Sequence, residues 1–188
     1  DSSERDKEIK ASRELELELI ENNSKDNLSE DVQLITNKIT EIDGQEKRVI
    51  QLLWNVGLKD NNYPIKEIEA RVNVPSIDGK RPEVVKVVDF NTMTYYDYSY
   101  DGSNVVFKFT NKPNDNNEIR WKDDGQEKIV LSFIYDKDVV INSQKFVTEQ
   151  KIKLYDEKEL ANSQEINLDN TEKDNIVSIS SYAEEDGL

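Results

Sequence analysis

Cysteine and histidine are both absent from the 188 residues, and each absence removes a class of chemistry. Without them there is no thiolate nucleophile, no Ser-His-Asp relay, no thiol or imidazole metal site and no imidazole switch near neutral pH. Glycine is scarce, with six residues, so a glycine-rich loop cradling phosphate is not expected. No apolar run is long enough to span a bilayer. The chain opens Asp1-Ser2-Ser3-Glu4 with neither Met nor a basic-then-apolar leader, which reads as a fragment or a processed product. Missing cysteine leaves the redox compartment open and does not argue against export.

What is present is charge. Charged and hydrophobic residues each make up 35% of the chain, too little apolar material for a spherical core but enough for an elongated sandwich whose strands bury one face. The eight Tyr, five Phe and two Trp fall in organised alternating runs, unlike those of a disordered chain. Forty acidic against 25 basic residues give a net charge of −15. So negative a surface repels phosphate backbones and anionic membranes, and it favours solubility in a crowded setting. No nucleic-acid partner and no membrane insertion are expected.

Along the chain, residues 1–12 are nearly all polar and read as a tail or linker, with a single domain over 13–188. Leu15, Leu17 and Leu19 alternate with glutamates at a period of two, predicting a strand despite the helical propensity of Leu and Glu. Val32 to Ile42 predicts a strand ending at Asp43-Gly44, a dipeptide suited to a type I′ hairpin turn. Arg48 to Leu58 follows, with Leu52, Trp54, Val56 and Leu58 on one face. Ile65 to Val74 and Val84 to Phe90 are the next strands, punctuated by Pro64, Pro75 and Pro82. Met93 to Tyr100 turns at Asp101-Gly102 into Val105 to Thr110, and a short strand is expected around Trp121. Ile129 to Tyr135, Phe146 to Leu154 and Ile176 to Ala183 complete the set. Close, regular spacing and the lack of helical periodicity predict an all-β, antiparallel β-sandwich, immunoglobulin-like or related.

Glu46-Lys47-Arg48-Val49-Ile50-Gln51, Asp60-Asn61-Asn62-Tyr63-Pro64-Ile65-Lys66, Glu127-Lys128-Ile129-Val130-Leu131 and Ala183-Glu184-Glu185-Asp186 carry a family resemblance. Together these runs resemble repeated β-sandwich modules of very large, wall-associated, adhesin-like surface proteins of clostridia and related Firmicutes. The resemblance covers Val32 to Leu188 loosely and rests on turns and strand starts. It implies an extracellular setting at the bacterial cell surface or cell wall and transfers no catalytic residue. Related surface proteins also carry Lys–Asn isopeptide crosslinks. Such a bond needs a Lys, an Asn and an acid buried together, and Lys38 or Lys108 with an Asn of a late strand is the candidate.

The remaining candidates are for binding. Tyr96, Tyr98 and Tyr100 fall at alternate positions, and a row of rings on one strand face can stack against sugars. Tyr is ordinary in strands, and the more usual place for such rings is the core or the cover of a hairpin. Trp121, between Arg120 and Lys122, is either a sugar-binding ring or a cap over the end of the sandwich, whereas Trp54 reads as core. The acidic stretches Asn114 to Glu118, Asp123-Asp124 and Asp136-Lys137-Asp138 supply oxygen ligands without the spacing of a calcium loop, so no metal is assigned. No catalytic residue and no cofactor are expected. Carboxylates are too abundant for any pair to single out a glycosidase.

The expectation is thus a non-catalytic structural or adhesive module of a bacterial surface protein or fibre. Its partners would be neighbouring domains or copies, met through the runs Leu15 to Leu19 and Ile176 to Ala183, and host or cell-wall glycan. The alternative is a carbohydrate-binding module using exposed aromatic residues.

Overall fold

In a computed structural model the described residues are 3–8, 31–59, 65–110, 126–154 and 158–177. Residues 3–8 form a short exposed helix. The rest is all β, an antiparallel sandwich of two five-stranded sheets. Its strands are β1 (Val32–Ile42), β2 (Gln45–Gly57), β3 (Ile65–Asn73), β4 (Val84–Asp89), β5 (Ser99–Asp101), β6 (Asn104–Thr110), β7 (Gln126–Asp136), β8 (Gln144–Leu154), β9 (Glu159–Leu168) and β10 (Lys173–Asp174). The first sheet runs β10-β1-β2-β7-β4 and the second β5-β6-β3-β8-β9.

The hairpin β1–β2 forms as its turn dictates. Asp43 and Gly44 both take positive φ (51° and 80°), which matches the twist of the flanking strands. Its register brings Ile42 opposite Gln45 and Val32 opposite Trp54, with one irregularity between Leu34 and Thr36.

Alternation then builds the interior. Ile50, Leu52, Trp54 and Val56 of β2 and Ile129, Leu131, Phe133 and Tyr135 of β7 face Ile68, Ala70 and Val72 of β3, Val105, Phe107 and Phe109 of β6, and Phe146 and Ile152 of β8. Aromatic rings meet across the layers. Trp54 stands edge-on to Phe107 at 6.1 Å, and Phe133 lies at 4.9 Å from Phe146. Each such ring removes well over a hundred Å² of apolar surface from water, about 1.5–3 kcal/mol per side chain. Gln150 is buried in this interior and accepts the Gly57 N–H (2.9 Å), so β8 is tied to the end of β2 in the opposite sheet.

The two sheets differ in their outer faces. In the second sheet Glu67, Glu69, Arg71 and Asn73 alternate with buried positions, as a half-wet strand requires. The first sheet departs from the expectation of one wet face. Val49 and Gln51 of β2, Val84 and Lys86 of β4, and Val130, Ser132 and Ile134 of β7 point away from the interior and are nevertheless buried. Thr36 donates to Gln51 (2.7 Å) and Gln51 to Ser132 (3.0 Å), a polar row across three neighbouring strands. The Gln51 amide also donates to the Val177 carbonyl (2.9 Å) and accepts its N–H (3.1 Å), so the chain at 177 is held against this face.

Several expected elements need correction. Of Met93 to Tyr100, only the last two residues enter a strand, β5; Met93 takes φ +58° and residues 96–98 are irregular. Strands β9 and β10 were not foreseen. Ile176 and Val177 are not in a strand, and the remainder of Ile176 to Ala183 lies outside the described residues, as do Leu15 to Leu19 and the strand expected around Trp121.

Candidate functional site

The described candidate residues gather on the flank of the sandwich between β4 and β5, the edge strands of the two sheets on that side. Residues 90–98 cross this flank. Val88 bridges to Tyr95, and the N–H of Tyr96 donates to the carbonyl of Val87 (2.8 Å). The crossing is organised by Asp89, the last residue of β4, which is 2% exposed. Its Oδ1 accepts the N–H groups of Asn91 (2.8 Å) and Thr92 (3.0 Å), and its Oδ2 accepts the Tyr96 hydroxyl (3.0 Å). Burial raises the Asp89 pKa, but the bonds from Thr92, Tyr96 and Asn91 and from the side chain of Glu127 outweigh it and hold the carboxyl below its ordinary value. Phe90 is fixed from the other side, its N–H on the Lys128 carbonyl (2.8 Å) and its ring under the Lys128 ammonium (4.6 Å).

This anchoring separates the three tyrosines that the sequence aligns. Tyr96 turns inward, half-buried, with its ring edge-on to Phe109 at 5.0 Å. Burial, with Glu127 and Asp89 nearby, raises its hydroxyl well above the usual tyrosine range. Tyr98 and Tyr100 remain outside, 37% and 44% exposed, and meet edge to face at 5.8 Å. Trp121 lies outside the described residues.

Sequence reasoning overlooked a cation beside this pair. The Arg81 guanidinium sits over the Tyr100 ring, 5.8 Å from its centroid, within cation–π range. Desolvation raises the Tyr100 hydroxyl, and Arg81 opposes that shift. Arg81 stands in a segment between Pro75 and Pro82 that looks like plain loop. Inside it, Ile77 and Lys80 exchange backbone bonds at 2.9 Å, Asp78 accepts the Val140 N–H (2.7 Å), and the Tyr135 hydroxyl donates to the Pro75 carbonyl (2.7 Å).

Elsewhere the geometry offers less. A groove of about 430 Å³ on the outer face of the second sheet is lined by Arg71, Asn73, Asn104, Val147, Glu149 and Lys151. Its charges are already matched, Arg71 by Glu69 (2.9 Å) and Asp101 (2.8 Å), Lys151 by Glu149 (3.7 Å). The crosslink candidates fall in the wrong surroundings. Lys108 is exposed, and Lys38 forms an ion pair with Asp174 at 3.0 Å. Among the described residues the buried lysine is Lys86, 3% exposed within Val84-Val85-Lys86-Val87-Val88, where an apolar run hid it. Asp136 accepts the Asp138 N–H (2.8 Å) and pairs with Lys80 (3.3 Å); Asn114 to Glu118 and Asp123-Asp124 lie outside the described residues. Among the described residues no group of three or more acidic side chains is placed to hold a metal ion. Among them, too, no helix is long and apolar enough to cross a membrane.

No family model matches the chain, and no curated protein matches it. Among solved structures it is similar to domains D2 and D3 of the major pilin SpaD of Corynebacterium diphtheriae, with 15% identity and TM-score 0.39 over 73% of this chain and 51% of that one. The chain thus spans about half the length of that pilin fragment. It is similar also to ACE19, the collagen-binding subdomain of the Enterococcus faecalis surface protein ACE, with 10% identity and TM-score 0.42, covering 74% and 96%. AvmM, described as catalysing macrocyclization in alchivemycin A biosynthesis, matches at 7% identity and TM-score 0.39, covering 80% and 93%. All three overlaps are partial, and no ligand, assembly or activity is transferred from them.

Proposed function

We propose that this chain is a non-catalytic structural and adhesive module of a bacterial cell-surface protein or fibre. The observation that carries this reading is how its buried polar groups are employed. Thr36, Gln51 and Ser132 link adjacent strands, Gln150 links the two sheets, and Asp89 pins a crossing segment. Each of these groups spends its hydrogen bonds on holding one rigid shape, which suits a spacer that presents a surface. The resemblance of its turns to wall-associated clostridial modules and its acidic exterior favour an extracellular place. Residues 13–188 would act as one domain, with the runs Leu15 to Leu19 and Ile176 to Ala183 meeting neighbouring domains or copies.

Removing residues 1–30 or 178–188 tests the contact with neighbours. Light scattering after size exclusion should show self-association weakened by either truncation. A chain that is monomeric before and after both truncations would remove the terminal runs from the proposal.

A second reading, carbohydrate binding, is favoured by the exposed Tyr98–Tyr100 pair. Paired rings on a pinned segment present apolar faces without having to order on binding. Soluble oligosaccharides titrated into the chain should quench tyrosine fluorescence, and Tyr98→Ala should abolish the effect. Quenching that survives this substitution would place the sugar elsewhere.

A further inference from the structure

We infer that Arg81, Tyr98 and Tyr100 form one binding platform for an acidic saccharide, its ring face against an exposed tyrosine ring and its anionic group on the guanidinium. The inference rests on the carbohydrate reading above and adds the charge class of the sugar.

Many cations of this acidic chain are already committed to carboxylates. Lys38, Lys47, Arg71, Lys80, Lys145 and Lys151 each hold a carboxylate in an ion pair. Arg81 is exposed and engages the face of Tyr100 instead. A cation held over a ring face forms no hydrogen bond to the ring, so the N–H donors of the guanidinium remain available. Those donors match a carboxylate or sulfate in a bidentate manner.

The surroundings keep this arrangement in place. The Arg81 backbone follows a closed turn with positive φ at Asp78 (52°) and Gly79 (72°), and the next residue, Pro82, is buried. Tyr100 is held by β5, paired to Val105, and Tyr98 meets it edge to face. The acidic residues nearest to Arg81 in sequence are engaged elsewhere, Glu83 with Lys47 (2.8 Å) and Asp78 with the Val140 N–H (2.7 Å). Beside the tyrosines the acids are Asp101 and Asp97. Asp101 is bound to Arg71 at 2.8 Å, and Asp97 is exposed.

A net charge of −15 opposes the approach of an anion. That repulsion comes from charges spread over the molecule and is screened beyond about 8 Å at physiological ionic strength, whereas a contact with Arg81 is not. Binding should therefore be slow at low salt and should not collapse as salt is raised.

Calorimetric titration of the full chain with two oligosaccharides of equal length, one neutral and one carrying uronic acids, tests the inference. The acidic chain is expected to bind at least about tenfold more tightly, the factor expected of one charged contact worth ~1.4 kcal/mol. Arg81→Gln should lower its affinity to that of the neutral sugar, and Tyr98→Ala should weaken both. A sulfated oligosaccharide without carboxylates, bound with the same dependence on Arg81, would support the inference with sulfate as the anion. Equal affinities that ignore Arg81→Gln would overturn the acidic preference while leaving carbohydrate binding intact. No binding of any of the three would overturn both. Far-UV circular dichroism of each variant guards against misfolding, and Arg81→Lys, which keeps charge but loses the fork, should recover only part of the preference.

Discussion

Replacing Asp89 by Ala removes the acceptor on which residues 90–98 depend, and the cost can be worked from its partners. The Asn91 and Thr92 N–H groups lie at an exposed turn and regain water, so each loses about 0.5–1 kcal/mol. The Tyr96 hydroxyl is half-buried and less easily rehydrated, and losing its charged acceptor costs about 1–2 kcal/mol. The sum is about 3 kcal/mol. In a domain of this length each kcal/mol lowers Tm by about 2–4 °C, so the variant should melt ~6–12 °C below the parent. Near-UV circular dichroism should lose tyrosine signal as Tyr96 leaves Phe109. Asp89→Asn retains one acceptor oxygen without the charge and should fall between the two. If Asp89→Ala melts within about 1 °C of the parent with an unchanged tyrosine signal, the pinning argument is wrong.

The same carboxyl predicts an acid limb. Its pKa is lowered in the folded state, so its contribution is complete above the unfolded value, about 3.9, and is lost as pH falls through the lower folded value. Tm measured from pH 6 to pH 2.5 should drop most steeply below pH 4, and less so for Asp89→Asn; equal slopes would assign the limb to other groups. In the interior, Phe133→Ala deletes a ring packed on Phe146 and should cost about 3–5 kcal/mol in urea unfolding; a cost under about 1 kcal/mol would mean the two sheets are not packed through this contact. Gln150→Ala strands the buried Gly57 N–H and should cost about 1–3 kcal/mol, with faster hydrogen exchange at Gly57; unaltered exchange there would refute the cross-sheet bond.

The strands that could be read from the sequence are those with a cue that needs no tertiary context. Asp43-Gly44 announces its hairpin because the turn demands two positive φ values. Val105, Phe107 and Phe109 announce β6 because burial on one face leaves a period of two. Strand β9 was hidden because only Leu160, Ile166 and Leu168 of its ten residues are buried apolar, as an edge strand allows. The burial of both faces of β7 follows from Ile129 to Tyr135 being nearly all apolar, a run read as simple alternation.

The tyrosine run misled for a different reason. Asp89 bonds the backbone two and three residues onward, and such local bonds compete with extending the strand. The positive φ of Met93 then turns the chain, so Tyr96 faces inward while Tyr98 and Tyr100 face out. Arg81 has no local cue at all. It reaches Tyr100 through tertiary packing, across 19 positions of sequence.

Segment 90–98 must be an ordered part of the sandwich for the tyrosine pair to act, and amide hydrogen exchange at pH 7 measures that most directly. The N–H of Asp89 on Thr94, of Met93 on Asp89 and of Tyr96 on Val87 should exchange far more slowly than in an unstructured peptide, in the range of other edge-strand amides. Exchange of these amides at the free-peptide rate would contradict the account, since Tyr98 and Tyr100 would then have no fixed platform to form.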